Sequence, residues 1–167
     1  MAEAYRTGKA RFDSRNSVRP IYTTDSTGRE ASPNLYEVSA EAFMADHALT
    51  EEVFGPLSLV VRVATADEMV PLAKRFEGQL TATLHMDAQD TDLARALLPV
   101  LERKAGRVLV NGYPTGVEVV DAMVHGGPYP ASTNFGATSV GTMSIRRFLR
   151  PVSYQNLPDS ILPADLL

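Results

Sequence analysis

Neither cysteine nor tryptophan occurs among the 167 residues. Without a thiol the chain has no disulfide, no thiolate metal ligand and no sulfur nucleophile of its own. Histidine is scarce too. His47, His85 and His125 stand far apart, and no His-x-x-x-His pair is present, which argues against a metal centre. Gly-x-Ser-x-Gly, Gly-x-Gly-x-x-Gly and Walker-type loops are all missing, so neither a nucleophile elbow nor a phosphate cradle is encoded. No apolar run has transmembrane length. The start, Met1-Ala2-Glu3-Ala4-Tyr5, has no basic or apolar leader character. Positive charge is not in excess either: 16 Lys and Arg against 20 Asp and Glu leave a net charge of −4, the wrong sign for a phosphate backbone. The expectation is a soluble cytoplasmic protein with neither nucleic acid nor membrane as partner.

A hydrophobic content of 44% and a charged content of 22% are those of an ordinary globular protein. The clearest local signals lie in the middle of the chain. Leu57 to Val63 is a β-branched run suited to a sheet covered on both faces. Thr65-Ala66-Asp67-Glu68 has a capping-box pattern and opens a helix to about Phe76, which Pro71 should kink or shorten. Leu80 to His85 and Arg107 to Asn111 are further strands. Between them Leu93, Leu97, Leu98 and Leu101 recur at helical spacing after a cap at Asp90. Earlier, Leu35 to Val38 reads as a short strand and Ser39 as the cap of a helical turn through Met44. Ala2 to Asn16 has a weaker helical pattern. Alternation of strand and helix predicts an α/β fold: a three-layer parallel sheet with flanking helices.

Periodicity fails after Asn111. The stretch 106–141 holds seven of the eleven glycines, yet Val117, Val119, Val120, Met123 and Tyr129 make it too apolar for disorder. An ordered loop system is expected there, and such loops gather functional residues. Phe148 to Tyr154 reads as a last, short strand.

The most informative segment is Glu51-Glu52-Val53-Phe54-Gly55-Pro56, directly before the Leu57 run. A carboxylate has two oxygens that accept hydrogen bonds from the adjacent hydroxyls of a ribose, and a phenylalanine offers a flat apolar face to a heterocycle. This hexapeptide resembles the strand entry that contacts the cofactor in NAD(P)-dependent aldehyde dehydrogenases. Gly106-Arg107-Val108-Leu109-Val110-Asn111-Gly112-Tyr113-Pro114-Thr115-Gly116 and Val124-His125-Gly126-Gly127-Pro128-Tyr129-Pro130 extend the resemblance. They are most similar to the branch oxidising α-ketoglutaric semialdehyde, also called 2,5-dioxovalerate. Commoner members carry Pro-Phe-Gly-Gly in place of residues 124–127. Val120 and Asp121 stand where this branch is expected to have Cys-His. Ser139-Val140-Gly141-Thr142 and Arg147 to Val152 continue the match, which runs from about Ala4 to Pro163.

The resemblance implies that Glu52 contacts the nicotinamide ribose and that Phe54 borders the nicotinamide of NAD or NADP. A substrate with a carboxylate at one end needs a cationic or amide-rich anchor, and His125, the backbone amides of Gly126 and Gly127, and Ser132 are expected at the mouth of such a pocket. Taken by itself, His125 reads as a solvated loop histidine and the two glycines as turn residues. The family's cysteine nucleophile and water-activating glutamate are expected upstream of Met1, so this chain alone should be inactive. Residues 1–147 would form the C-terminal portion of the catalytic domain, and 148–167 an oligomerisation strand and tail joining a homo-oligomer. A different class of reading is a non-catalytic interaction or oligomerisation module derived from the same fold.

Overall fold

The computed structural model describes residues 1–134 and 136–166, so the last residue of the expected tail lies outside the described residues. Helix α1 (Ala2–Asp13) leads into strand β1 (Arg19–Tyr22), and a long loop reaches β2 (Asn34–Ser39). Ser39 caps the short helix α2 (Ala40–Ala45): its Oγ accepts the Ala42 N–H at 3.2 Å. Strand β3 (Leu57–Arg62) follows. Next comes a 3₁₀ turn (Ala66–Glu68) that feeds α3 (Met69–Arg75). The expected capping box does not form there. Thr65 makes no side-chain cap bond, while Glu68 Oε2 accepts the Ala64 N–H at 2.8 Å. Pro71 falls in the first turn of α3, where a missing N–H costs no helical hydrogen bond. Strand β4 (Gln79–Leu84), helix α4 (Thr91–Leu101) and strand β5 (Ala105–Val110) complete the regular part.

The class is α/β, and the crossovers are parallel as expected: β2 runs parallel to β3, and β4 to β5. Two features differ from a single three-layer parallel sheet. Strand β1 is antiparallel to β2 and forms an edge whose four residues are all exposed. The strands also fall into two sheets, β1-β2-β3 and β4-β5, since β3 and β4 are not hydrogen-bonded to each other. Between them lies a cavity of about 540 Å³, flanked by Leu59 and Val61 of β3 and Thr81 to Leu84 of β4, with Leu72 and Phe76 also lining it.

Strand β3 is not covered on both faces. Leu57, Leu59 and Val61 are half-buried and alternate with exposed Ser58, Val60 and Arg62. On that outer face Glu37 Oε1 accepts Arg19 Nη2 at 2.9 Å, and Glu37 also pairs with Arg62. The two guanidinium groups hold the Glu37 carboxyl below its ordinary pKa. One core cluster packs α1 and α2 onto β2 through Phe12, Tyr36, Val38 and Phe43. A second joins α3 and α4 through Ala73, Leu97, Val100 and Leu101. Full burial of each large apolar side chain contributes roughly 1.5–3 kcal/mol.

Past β5 the chain is irregular, as the failed periodicity implied, until a 3₁₀ segment at Thr142–Phe148. The strand expected over Phe148 to Tyr154 does not form. Phe148 ends the 3₁₀ segment, and the residues after it pair with no strand among the described residues. A strand needs a neighbour for its backbone groups, and here Pro151 lacks a donor as well. The side chains of Phe148, Leu149, Val152 and Tyr154 are exposed instead.

Candidate functional site

The hexapeptide Glu51–Pro56 is the entrance to β3. Its last turn is fixed by backbone bonds: the Leu57 N–H donates to Gly55 O at 2.8 Å, and the Asn34 N–H at the start of β2 donates to Pro56 O at 2.9 Å. Gly55 has φ +153°, a conformation that side-chain-bearing residues rarely adopt. The two acids of the motif have different fates. Glu51 Oε2 accepts Arg11 Nη1 at 2.6 Å. Glu52 is exposed and has no hydrogen bond or ion pair among the described residues. Phe54 is 70% exposed, an unusual position for an aromatic ring without a partner.

Glu52 and Phe54 stand on the rim of a cavity of about 550 Å³, shared with Phe12, Leu49, Leu57 and Gln79. Small-molecule sites span roughly 300–1,000 Å³, and this open cavity falls in that range. An exposed carboxylate that accepts hydrogen bonds, beside a flat apolar ring, fits a ribose diol joined to a heterocycle.

The other four predicted residues lie on the loop after β5, against the N-terminal ends of β4 and β5. The backbone of Gly126 and Gly127 is buried there. A Cβ added at Gly127 would lie 2.2 Å from Gln79 O, and one added at Gly106 would lie 1.9 Å from Gly126 O. Ser132 Oγ donates to Gly127 O at 2.7 Å and accepts the Gly127 N–H at 3.3 Å. Both polar backbone groups of Gly127 are therefore engaged within the loop. The His125 N–H donates to Thr138 Oγ1 at 3.1 Å, and the residue is exposed. Through Gln79 the glycine loop abuts the Glu52–Phe54 cavity; His125 and Ser132 do not line that cavity.

Sequence reasoning missed Gln79, which links the two groups, because a single Gln at the head of a strand carries no local signal. It also passed over Asn111 as more than a strand end. With φ 51°, Asn111 accepts the Met86 N–H at 2.8 Å and donates Nδ2 to Met86 O at 2.9 Å, tying the C-terminal ends of β4 and β5 together. The Asn-Gly dipeptide at 111–112 was the available cue. Asp121, at the position where the branch was expected to differ, accepts a hydrogen bond from Thr142 Oγ1.

No family model matches the chain. Among curated proteins it is 57% identical over 168 residues to α-ketoglutaric semialdehyde dehydrogenase 2 of Azospirillum brasilense, covering 99% of this chain and 32% of that one. It is 49% identical over 135 residues to α-ketoglutaric semialdehyde dehydrogenase of Acinetobacter baylyi, covering 80% and 26%. The chain thus spans about a third or less of the length of these relatives. Its fold is similar to that of Δ-pyrroline-5-carboxylate dehydrogenase from Mycobacterium tuberculosis bound with NAD. That match has a TM-score of 0.62 at 18% identity over 98% of this chain and 31% of the other. The chain belongs to the aldehyde dehydrogenase superfamily and corresponds to the C-terminal part of those enzymes.

Proposed function

We propose that this chain supplies the nicotinamide-ribose contact and one wall of the aldehyde pocket in an enzyme that oxidises α-ketoglutaric semialdehyde to the dicarboxylate with NAD or NADP. The observation that carries this reading is the exposed, unpaired pair Glu52 and Phe54 on the rim of the 550 Å³ cavity. Identity of 57% to a relative named for that aldehyde supports the substrate. When bound, the nicotinamide serves as hydride acceptor. Glu52 orients it by accepting hydrogen bonds from the ribose hydroxyls, and Phe54 keeps water from one side of the ring. The glycine loop backs the cavity at Gln79, and His125, exposed on the same loop, is the candidate polar group for the acidic end of the substrate. The covalent step needs a thiol that this chain does not contain, so it comes from the remaining polypeptide and the chain alone is inactive.

A subunit boundary along 148–154 belongs to the same proposal and rests on the exposed Phe148, Leu149 and Tyr154. The same exposure favours the second reading, a non-catalytic oligomerisation module. A cytoplasmic site of action belongs to the same proposal. No helix among the described residues is long and apolar enough to cross a membrane.

The decisive experiment is Glu52→Gln in the intact enzyme. The change keeps the shape and removes the charge, and hydrogen bonds to charged groups are worth about 1.5–3 kcal/mol. Cofactor binding should weaken about tenfold or more, and a deuterated aldehyde should reveal a larger isotope effect on kcat. Unchanged cofactor KM, kcat and isotope effect would remove Glu52 from the site and favour the module reading.

A further inference from the structure

We propose that helix α1 is the element that aims the cofactor rim: Tyr5, Gly8 and Arg11 grip Gly55, Val53 and Glu51, and thereby turn Glu52 and Phe54 outward. The proposal rests on the cofactor reading of Glu52 and Phe54 and adds three positioning residues to it.

The three contacts form a ladder. Arg11 Nη1 donates to Glu51 Oε2 at 2.6 Å. Gly8 lies so close to Val53 that an added Cβ would be 2.6 Å from Val53 Cγ1. The ring of Tyr5 lies against Gly55, where an added Cβ would be 2.4 Å from Tyr5 Cδ2. Residues three apart on a helix share a face, while alternate residues of an extended segment share a side. The helix therefore meets positions 51, 53 and 55 in reverse order and leaves 52 and 54 to the other side.

The top of the ladder is locked. Tyr5 is 1% exposed; its hydroxyl donates to Ser32 O at 2.6 Å and accepts Asn34 Nδ2 at 2.8 Å. Asn34 is itself buried and hydrogen-bonds Ser32 O at 2.8 Å through the same Nδ2. Helix α1 is thus fixed to β2, and β2 to β3, so the rim is held from behind by the sheet that it enters. Arg11 is half-exposed, which makes its pair with Glu51 weak in stability terms. Its role on this reading is directional.

The test is made in the intact dehydrogenase with Gly8→Ala, Val53→Ala, the double substitution, Arg11→Gln and Arg11→Lys. Gly8→Ala pushes Val53 and should weaken NAD(P)+ binding by calorimetry about tenfold, short of the roughly hundredfold that a 1 Å misplacement can cost. Aldehyde KM should stay unchanged. Val53→Ala removes the methyls that the new Cβ meets, so the double substitution should restore binding. Arg11→Gln, at a half-exposed site, should fold normally and weaken binding several-fold, with partial rescue by Lys. In the cofactor-free enzyme, a glutamate-specific protease should cut after Glu51 and Glu52 faster in Gly8→Ala than in the double substitution. Equal loss of cofactor and aldehyde affinity, or no rescue by Val53→Ala, would overturn the proposal. If Glu52→Gln weakens cofactor binding and these variants do not, the ladder fails while the cofactor reading stands. If Glu52→Gln is itself silent, the cofactor reading fails first.

Discussion

Docking of the glycine loop on β4 and β5 gives a quantitative prediction with an internal control. A methyl group added by Gly106→Ala would sit 1.9 Å from Gly126 O and 2.8 Å from Gly126 C. Both neighbours are backbone, so no flexible side chain can yield, and a normal contact requires a movement of more than about 1 Å. That movement drags Gly127, whose backbone is hydrogen-bonded on both sides by Ser132 and faces Gln79 O. Overpacking of this kind costs about 1–3 kcal/mol. For a chain of this size each kcal/mol lowers Tm by about 2–4 °C, so a fall of about 2–12 °C is expected. Gly116→Ala is the control. Nothing lies within 4 Å of its added Cβ, and its φ is not in the positive range. Reduced freedom of the unfolded chain should leave that variant unchanged or more stable by up to about 1 kcal/mol.

Gly78→Ala sharpens the test, because its Cβ would lie 1.9 Å from Pro128 O, on the same loop. Once the loop has lifted from one glycine, lifting it from the other is cheaper. The double variant Gly78→Ala/Gly106→Ala should therefore cost less than the sum of the singles, by the 0.5 kcal/mol or more (roughly) that marks coupled sites. Urea denaturation followed by circular dichroism reads all four proteins. Equal midpoints for Gly106→Ala and Gly116→Ala would refute the docking, and strict additivity would refute its being one cooperative contact.

The remaining predictions concern acid stability and assembly. Arg15 holds the Asp46 carboxyl below its ordinary value, and Arg19 and Arg62 do the same for Glu37. A carboxyl whose pKa is lower in the folded state gives stability that is present above the unfolded value, near about 4, and lost as pH falls through the folded one. The urea midpoint should therefore drop below pH about 4, and Arg15→Gln should flatten part of that drop; an identical pH profile for this variant would refute the assignment. The exposed apolar run at Phe148, Leu149 and Tyr154 should drive self-association, so light scattering should show a dimer or larger species that Leu149→Asp weakens. A wild-type monomer at high concentration would remove this segment from any interface.

Local chemistry made much of the fold legible. Ser39 capped the helix it was expected to cap, and β3, β4, α4 and β5 lie within a residue or two of their expected spans. What was not legible depends on partners distant in sequence. Strand β1 contains Pro20 and buries none of its four residues, so it had no alternation to betray it. Its existence is due to pairing with β2. The converse holds at Phe148 to Tyr154, where composition suits a strand and no strand pairs with it among the described residues. The split between β3 and β4 is of the same kind, because apolar runs announce strands and not which strand lies beside which.

Glu51 and Glu52 show the same limit at the scale of the site. As sequence they are an indistinguishable acidic pair, and only the resemblance preferred the second. In the fold, Arg11, forty residues away, takes up the first, and the second remains in solvent beside Phe54. The bond to Arg11 fixes where the Glu51 carboxylate points, although its other oxygen can still accept hydrogen bonds, whereas Glu52 has no partner among the described residues. A motif can point to a carboxylate and a ring side by side, while the residue that engages one carboxylate and leaves the other unpaired among the described residues lies in a helix with no motif at all.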